Sequence, residues 1–258
     1  MCTVTFIEGS DRRLCVGQNR DELRSRGKAL PPQTWEAGTV RIVAPRDRDA
    51  GGTWVAANDA GLCVALLNYY QGDAKKAQQP VRSRGAVVLD LAQCRSLPEV
   101  EQRLAAMHQE VLEHTRPFLL GVVQAAQGDR VAQALEVLWD GGDLRVAQLA
   151  LPAVLVSALW HREVTERARR AELSDLEAAV RSNDGSARKS SILKWFSSHD
   201  TTRSPRAVCM HRFVAQTVSH TWIEVGSEAV TVEYRDGSPC KSKAFVAAGL
   251  ALAGPSGR

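Results

Sequence analysis

The sequence predicts an α+β protein in which mainly antiparallel sheets are covered by helices. Segments with the alternating or continuous apolar pattern of strands occur in clusters, and so do segments with apolar residues at helical spacing. Strands and helices that alternated one by one would instead indicate a doubly wound parallel sheet. The 258 residues show no internal repeat and no linker, so we expect one domain over residues 1–258.

The N-terminal part is predicted to consist mostly of strands. The first strand, 2–8, is rich in β-branched residues, and a turn at 8–11 leads into its hairpin partner. A turn at 58–61, containing Asn, Asp and Gly, joins two later strands. The predicted strands after the first are 13–17, 39–43, 53–57 and 62–67.

The remainder is predicted to alternate between groups of helices and groups of strands. Apolar residues at helical spacing predict helices at 84–94, 98–114, 160–180 and 191–198. The residues 253–258, rich in Gly, Pro and Ser, are expected to be frayed. Apolar or alternating runs predict strands at 118–124, 131–139, 144–149, 207–210, 217–225 and 229–235.

Composition and charge exclude several classes of protein. The net charge is +4 with a pI of about 8.8, and the basic residues are spread along the chain. The basic runs at 162–170 and 188–194 carry apolar residues at helical spacing, which indicates solvated helix faces and no nucleic-acid partner. No apolar run is long enough for a membrane helix, so we expect no membrane insertion.

The termini and cysteines indicate a cytoplasmic protein. The N-terminus lacks the basic, apolar and cleavage-site regions of a secretory signal. The 6 cysteines include no C-x-x-C pair, which is typical of free thiols in a reducing compartment.

Cys2 is the first candidate catalytic residue. Its small side chain at position 2 favours removal of Met1, which would leave Cys2 with a free α-amino group. Such an amine, with a pKa of about 8 in water, can take the thiol proton and later return it to a leaving group. One residue would then supply both nucleophile and base. The alternative is an ordinary second residue without a catalytic role.

Four polar residues, Asn19-Arg20-Asp21-Glu22, follow the second predicted strand. The hairpin would bring this strand end back beside the start of the chain. We therefore expect Asp21 to accept a hydrogen bond from the new ammonium group and hold it in place. Arg20 is expected to pair with a carboxylate and to contact substrate. The alternative for this run is a solvated turn.

Asn68 ends an apolar strand abruptly. Its side-chain amide could donate to a developing oxyanion, and one such donor is worth about 3 kcal/mol of transition-state stabilisation. Tyr69 and Tyr70 would then border the substrate pocket. The alternative is an ordinary strand end followed by a turn.

Together these residues resemble the NRDE family, also called the transport and Golgi organisation protein 2 family. The resemblance rests on Met1-Cys2, the 19–22 run, Gly51-Gly52-Thr53-Trp54 and the run 61–68. The family is similar to the wider N-terminal-nucleophile class, which includes choloylglycine hydrolases and penicillin acylases. The resemblance implies a four-layer αββα sandwich.

By the same resemblance, Cys2 is the nucleophile, Asp21 positions the amine and Asn68 stabilises the oxyanion. A second resemblance, to the end of acyl-coenzyme A:6-aminopenicillanic acid acyltransferases, rests on Cys209-Met210-His211-Arg212, Thr217, Thr221 and the turn 236–240.

Two positions depart from these relatives. Gln18 and Val218 stand where the relatives carry Arg, and Arg20 and Arg212 are the candidates for supplying that charge.

Other polar and aromatic residues are further candidates for a functional site. Late histidines and cysteines could suit zinc, but their spacings match no common zinc pattern, so the sequence predicts hydrogen bonding and no metal. His220 and Trp54 are candidates for contacting substrate, and the core is the alternative for Trp54. The histidines and cysteines concerned are His199, His211, His220, Cys209 and Cys240.

Two functions therefore remain open. The first is an amidohydrolase without a cofactor, in which Cys2 attacks a small non-peptide amide or acyl conjugate and water resolves the acyl-enzyme. The second, suggested by Gln18 and Val218, is a non-catalytic carrier of haem or a lipid-like ligand on the same fold, although no C-x-x-C-H attachment site is present. The sequence leaves the substrate and the oligomeric state open.

Overall fold

The computed structural model describes residues 2–70, 82–107, 111–158, 162–180, 185–199 and 207–253. These residues form two antiparallel sheets and a set of helices, which confirms the predicted α+β class. The first sheet contains, in order across it, β10 (Ala153–Val156), β1 (Thr3–Glu8), β2 (Leu14–Leu23), β11 (Ala215–Val225), β12 (Ala229–Asp236) and β13 (Val246–Ala251). The second sheet contains β3 (Leu30–Ala37), β4 (Val40–Arg46), β5 (Val55–Asn58), β6 (Leu62–Asn68), β7 (Phe118–Gln124), β8 (Gln133–Trp139) and β9 (Leu144–Gln148). The helices are α1 (Arg84–Leu91), α2 (Leu97–Met107), α3 (Arg162–Val180) and α4 (Gly185–Phe196).

Three hydrophobic cores lie between four layers. Residues such as Val16 of the first sheet and Leu119 of the second form the core between the sheets. The outer face of the second sheet packs on α1 and α2, and the outer face of the first packs on α3 and α4. The order α1/α2, second sheet, first sheet, α3/α4 is the expected four-layer αββα sandwich, because each sheet needs both of its apolar faces covered.

The start of the chain is held in the interior of the first sheet. β1 pairs with β2 on one side and with β10 on the other, and β2 pairs in turn with β11. Because side chains alternate along a strand, Gln18 and Arg20 of β2 point towards the second sheet, whereas Asn19 points towards α4. The strand pairing thus fixes what stands beside Cys2.

The polar run at 19–22 lies inside β2 and does not follow it, which corrects the prediction of a strand that ends at residue 17. β11 continues the pairing as far as Leu23, across a bulge between Thr217 and Ser219. The buried polar side chains are tolerated because they find partners. The Asn19 amide, for example, donates to the carbonyl oxygens of Phe196 and Val208, both at 2.9 Å.

Three strands were not predicted, namely β3, β10 and β13. β3 and β13 are edge strands with an exposed side, and β3 begins at Leu30-Pro31-Pro32, a sequence that ordinarily argues against a strand. β10 has only four residues.

Several predicted boundaries also change. The predicted strand 207–210 is wrong, because the segment pairs only locally: the Cys209 N–H donates to Ser198 O at 3.0 Å, and Met210 O accepts from the Thr217 N–H of β11 at 2.8 Å. α2 is described as far as Met107, and residues 108–110 of the predicted helix lie outside the described residues. α4 begins six residues earlier than predicted, at Gly185. Residues 254–258 of the predicted frayed tail lie outside the described residues. None of the helices described is both long and apolar enough to span a membrane.

Candidate active site

A pocket of about 100 Å³ opens beside Cys2, where the end of β2, the end of β6 and the beginning of α1 meet. It brings together five residues that the sequence singled out: Cys2, Arg20, Asp21, Trp54 and Asn68. The other described lining residues are Glu22, Arg26, Asp47, Ala50, Gly52, Thr53, Leu66, Ser83, Arg84 and Gly85.

The Cys2 thiol lies against the backbone of Asp21. The Asp21 N–H donates to Sγ at 3.3 Å, and Sγ lies 3.6 Å from the Asp21 carbonyl oxygen. Burial raises the pKa of the Cys2 thiol above its usual value, and the negative charge of Asp21 raises it further. The resting group is therefore a protonated thiol, which needs a base before it can act as a nucleophile.

The main chain of Cys2 is fixed by Ser157, a residue that the sequence did not single out. The Cys2 nitrogen donates to the Ser157 hydroxyl at 2.7 Å, and the Ser157 N–H donates to the Cys2 carbonyl oxygen at 3.0 Å. Ser157 directly follows β10, the unpredicted strand beside β1. No local signal marks this serine, because only the pairing of two strands distant in sequence brings it to Cys2.

Asp21 is buried and held from β11. The Thr217 hydroxyl donates to Asp21 Oδ1 at 2.5 Å, and the Met210 N–H in turn donates to that hydroxyl oxygen at 2.8 Å. Burial raises the pKa of the Asp21 carboxyl, and the hydrogen bond from Thr217 opposes that rise. The bulge at Thr217 is what turns this hydroxyl towards the carboxylate.

Arg20 and Trp54 form one wall of the pocket. The Arg20 guanidinium lies 4.4 Å from the centre of the Trp54 ring, and its Nη2 lies 2.5 Å from Asp47 Oδ2. Asp47 also pairs with Arg26 at 3.0 Å. Because Asp47 already compensates the charge of Arg20, this arginine is better suited to shaping the pocket than to binding an anionic group of a ligand.

Asn68 also lines the pocket, from the end of β6. Its side-chain N–H donates to the Tyr70 hydroxyl at 3.0 Å. The described lining does not include Tyr70, which holds Asn68 from outside, or Tyr69, whose ring faces the Arg162 guanidinium at 5.8 Å. The structure therefore gives both tyrosines supporting positions and no direct contact with the pocket.

Arg84 is the pocket residue that sequence reasoning missed. It begins α1, after the N-cap Ser83, and its Nη1 donates to the Pro117 carbonyl oxygen at 3.3 Å. Within the described ranges no carboxylate lies at ion-pair distance from it, and burial lowers the pKa of its guanidinium. The Ser83 cap marks the start of a helix, but no local signal marks Arg84 as a pocket residue.

Arg84 and Arg20 both line the pocket, which has no arginine at position 18 or 218. Gln18 is buried and donates to the Leu66 carbonyl oxygen at 2.9 Å, so it bridges the two sheets. Arg212 and Val218 do not line the described pocket.

Two glycines bring the start of α1 against the pocket. A Cβ on Gly52 would lie 2.6 Å from the carbonyl carbon of Gly85, and a Cβ on Gly85 would lie 2.8 Å from the Thr53 nitrogen. The Thr53 N–H also donates to the Gly85 carbonyl oxygen at 3.2 Å. Only glycine permits this approach of two backbones, and Arg84 is carried to the pocket by it.

His220 does not contact the pocket, contrary to the sequence-based expectation. It is fully buried on the opposite face of the first sheet, where its ring centroid lies 4.7 Å from that of Phe196 and its Nδ1 lies 2.8 Å from Asn19 Oδ1. Burial lowers the pKa of His220 to about 3, so the ring is neutral. The cause is strand alternation, which directs odd and even positions of β11 to opposite faces.

The other late histidines and cysteines converge at a second place. One nitrogen or sulfur atom from each of His199, Cys209, His211 and Cys240 lies within 4.8 Å of the others. His220 is not part of this cluster.

Comparison of the fold with solved structures identifies similar hydrolases. A conjugated bile acid hydrolase from Clostridium perfringens, solved as sequence variants, aligns with TM-scores of 0.56 and 0.59 at 12% and 13% identity, covering 96% of this chain and 92% of that one. The N-acylethanolamine-hydrolyzing acid amidase orthologue of Caenorhabditis elegans aligns with a TM-score of 0.58 at 12% identity, covering 86% of this chain and 92% of that one. At such identities the likeness establishes the fold alone.

Sequence comparison identifies the family. A search of curated proteins gave no match. The family profile described as Transport and Golgi organisation 2 matches residues 1–228, which is most of the chain. This chain, with its N-terminal-nucleophile hydrolase fold, therefore belongs to the Transport and Golgi organisation 2 family.

Proposed function

We propose that this protein is an N-terminal cysteine amidohydrolase that cleaves a small, linear, non-peptide amide or acyl conjugate. The observation that carries the proposal is the position of Cys2, Asp21 and Asn68 around one pocket. These residues come from three separate strands or strand ends, and a pocket with a nucleophile, an acid and an amide donor is what acyl transfer requires.

The base in this reaction is the α-amine of Cys2. Removal of Met1 converts the Cys2 nitrogen, which lies 2.7 Å from the Ser157 hydroxyl, into an amine with a pKa of about 8 in water. This amine takes the proton from the buried thiol as Sγ attacks the substrate carbonyl. Asp21 stabilises the resulting ammonium ion, and Ser157 fixes the orientation of the nitrogen.

The acyl group then passes from the substrate to Cys2 and from Cys2 to water. Asn68 donates its side-chain N–H to the tetrahedral oxyanion. The ammonium ion returns its proton to the leaving amine as the C–N bond breaks, which leaves a thioester on Cys2. Water, deprotonated by the same amine, attacks the thioester, and the acid leaves as the thiol is restored.

Arg84 indicates which kind of chemical group the substrate should carry near the scissile bond. A partly buried guanidinium without a described carboxylate partner favours a negatively charged or strongly polar group close to the scissile bond. The two hydrolases with the same fold act, by their names, on conjugated bile acids and on N-acylethanolamines. We therefore infer an N-acyl substrate whose polar end lies beside Arg84 and whose acyl part extends out of the pocket.

The small size of the pocket beside Cys2 disfavours the binding of haem at that one place. Sites for ligands of drug size usually enclose about 300–1,000 Å³, whereas the pocket beside Cys2 has about 100 Å³. A planar macrocycle would need a wider opening among the described lining residues.

The first test maps the N-terminus and the reactivity of its thiol. The protein is treated briefly with a low concentration of iodoacetamide and analysed by peptide mass spectrometry. The N-terminal peptide should lack Met1, and Cys2 should be labelled far faster than Cys15 or Cys63. Burial raises the pKa values of those two thiols to about 12, so they serve as internal controls. Retained Met1, or a Cys2 no more reactive than these two, would contradict the proposal.

The second part of the test measures turnover. Acylation by p-nitrophenyl acetate and release of amine from a panel of N-acyl amino acids and N-acyl amines are followed in the full chain and in Cys2→Ala. We expect Cys2→Ala to lose both activities while keeping its circular dichroism spectrum. Amide turnover that persists in Cys2→Ala would rule out this mechanism.

A further inference from the structure

Four side chains that the proposed hydrolase does not use converge on one point in space. His199 follows α4, Cys209 and His211 precede β11, and Cys240 follows β12. One ligand atom from each lies within 4.8 Å of the other three. His211 Nε2 lies 3.5 Å from Cys209 Sγ and 3.2 Å from Cys240 Sγ, and the two imidazole rings have centroids 5.0 Å apart.

We propose that these four side chains bind one Zn²⁺ ion in a closed, structural site. Tetrahedral coordination with bonds of about 2.3 Å to sulfur and about 2.0 Å to nitrogen places neighbouring ligand atoms roughly 3.3–3.8 Å apart. The measured nitrogen-to-sulfur distances lie close to this range, so small side-chain movements suffice to complete the shell.

The chemistry of the donor set selects the metal. Two thiolates and two imidazoles in a tetrahedral arrangement favour Zn²⁺ over hard cations such as Mg²⁺ or Ca²⁺, which prefer carboxylate and carbonyl oxygens. Binding releases one proton from each of the two cysteine thiols, and no electrons are transferred. Four protein ligands leave no open position for water, so the site is structural and takes no direct part in hydrolysis.

The site would join three segments of chain that few regular hydrogen bonds hold together. Residues 207–210 form no strand, and the Cys209 N–H bonds to Ser198 O at 3.0 Å beside His199. The Ser238 hydroxyl, two residues before Cys240, donates to the Thr217 carbonyl oxygen at 2.7 Å. A bound ion would fix the loop after α4, the segment before β11 and the turn after β12 to one another.

This anchoring would reach Asp21 through Met210. The Met210 N–H donates to the Thr217 hydroxyl, which donates to the Asp21 carboxylate, at 2.8 Å and 2.5 Å. Met210 lies between the two ligands Cys209 and His211, so the position of this N–H depends on the metal site. The zinc ion is thus inferred to hold the back of the pocket in place, and this inference does not require the protein to hydrolyse anything.

Zinc content is measured on the full chain, purified in reductant without chelator and with any histidine tag removed. Inductively coupled plasma mass spectrometry should find about one zinc per chain in the native protein. Cobalt added to the reduced, metal-free chain should give the visible absorption of a tetrahedral site and a charge-transfer band from thiolate. Cys209→Ser and Cys240→Ser should each weaken cobalt binding by more than about tenfold.

Cys94→Ser is the matched control, since Cys94 lies in the core beside α1 and α2, far from the cluster. This variant should keep the full zinc content. The wild-type spectrum keeps the proposal falsifiable even when a ligand variant does not fold. A reduced wild-type chain that shows no thiolate charge-transfer band with cobalt would overturn the proposed site. The site would also be overturned if the purified protein contained a Cys209–Cys240 disulfide and did not bind metal after that disulfide was reduced.

Discussion

The pocket beside Cys2 and the cluster around Cys209 are two polar regions joined by the hydrogen bonds from Met210 through Thr217 to Asp21. The pocket is held by regular structure, since β1 lies between β2 and β10. The cluster is built from segments outside the strands and helices. Strand pairing holds the first arrangement, whereas the zinc ion proposed for the second would join segments that lie outside the strands and helices.

The largest effect is expected from removing the amide donor of the pocket. Asn68→Ala should lower the rate of acylation about 100- to 1,000-fold, because one donor to the oxyanion is lost. The burst of p-nitrophenol from p-nitrophenyl acetate measures this rate.

Tyr70→Phe is the control for this substitution, because it removes only the hydroxyl that accepts from Asn68 at 3.0 Å. It should change the rate by less than about tenfold, as expected for a positioning contact. Equal losses in both variants would show that Asn68 acts through the tyrosine and not on the oxyanion.

A smaller effect should follow from disturbing the backbone contact that carries Arg84. The Cβ of Gly85→Ala would lie 2.8 Å from backbone atoms of Thr53, so the variant should lose about 1–3 kcal/mol of unfolding free energy. In Gly185→Ala the new Cβ meets no atom within 4 Å, so the unfolding free energy should either stay unchanged or rise by up to about 1 kcal/mol.

Urea denaturation of both glycine variants, with the acylation rate measured beside it, separates stability from site geometry. Gly85→Ala should also weaken acylation, because the start of α1 must move away from Thr53. A Gly85→Ala chain as stable as the wild type would show that this contact does not hold the pocket.

The smallest effect is expected on the pH dependence of stability, through His220, which lies between the first sheet and Phe196 of α4. Its pKa is lowered to about 3 by burial, whereas an unfolded histidine titrates near about 6.5. Between these values the unfolded state binds more protons, so stability falls as the pH is lowered from about 6.5 towards 3, by at most about 1.4 kcal/mol per pH unit.

Unfolding free energies at pH 7 and pH 5 measure this contribution. His220→Gln should reduce the loss of stability on acidification, whereas His114→Gln, at an exposed position, should reproduce the wild-type slope. An unchanged slope in His220→Gln would assign the acid sensitivity to other groups.

The differences between the two regions also explain what the sequence could predict. Cys2 begins and Asn68 ends an apolar run, and Asp21 lies in a conspicuous polar run, so local pattern and family resemblance were enough to select them. Their meeting in one pocket is consistent with the αββα order that the family resemblance implies, whereas the clustering of strands and helices predicts only antiparallel sheets covered by helices. Their catalytic roles stay predictions until turnover is measured.

Residues brought in by long-range pairing could not be predicted. Ser157 reaches Cys2 only through β10, a strand too short to stand out, and Arg84 reaches the pocket only through the contact of two glycines. The cluster of His199, Cys209, His211 and Cys240 comes from three segments, so no fixed spacing marks it. His220 was misplaced because the face of a central strand depends on register.

The contact between Ser157 and the Cys2 nitrogen has a consequence for the order of events in the cell. This nitrogen belongs to the Met1–Cys2 peptide bond, which an aminopeptidase would cut to remove Met1. In the folded protein it donates a buried hydrogen bond of 2.7 Å to the Ser157 hydroxyl, just after β10. β10 is synthesised about 150 residues after Cys2. The proposed mechanism therefore requires the removal of Met1 before β10 pairs with β1, and a chain that keeps Met1 at that stage would lack the free amine that the mechanism needs as its base.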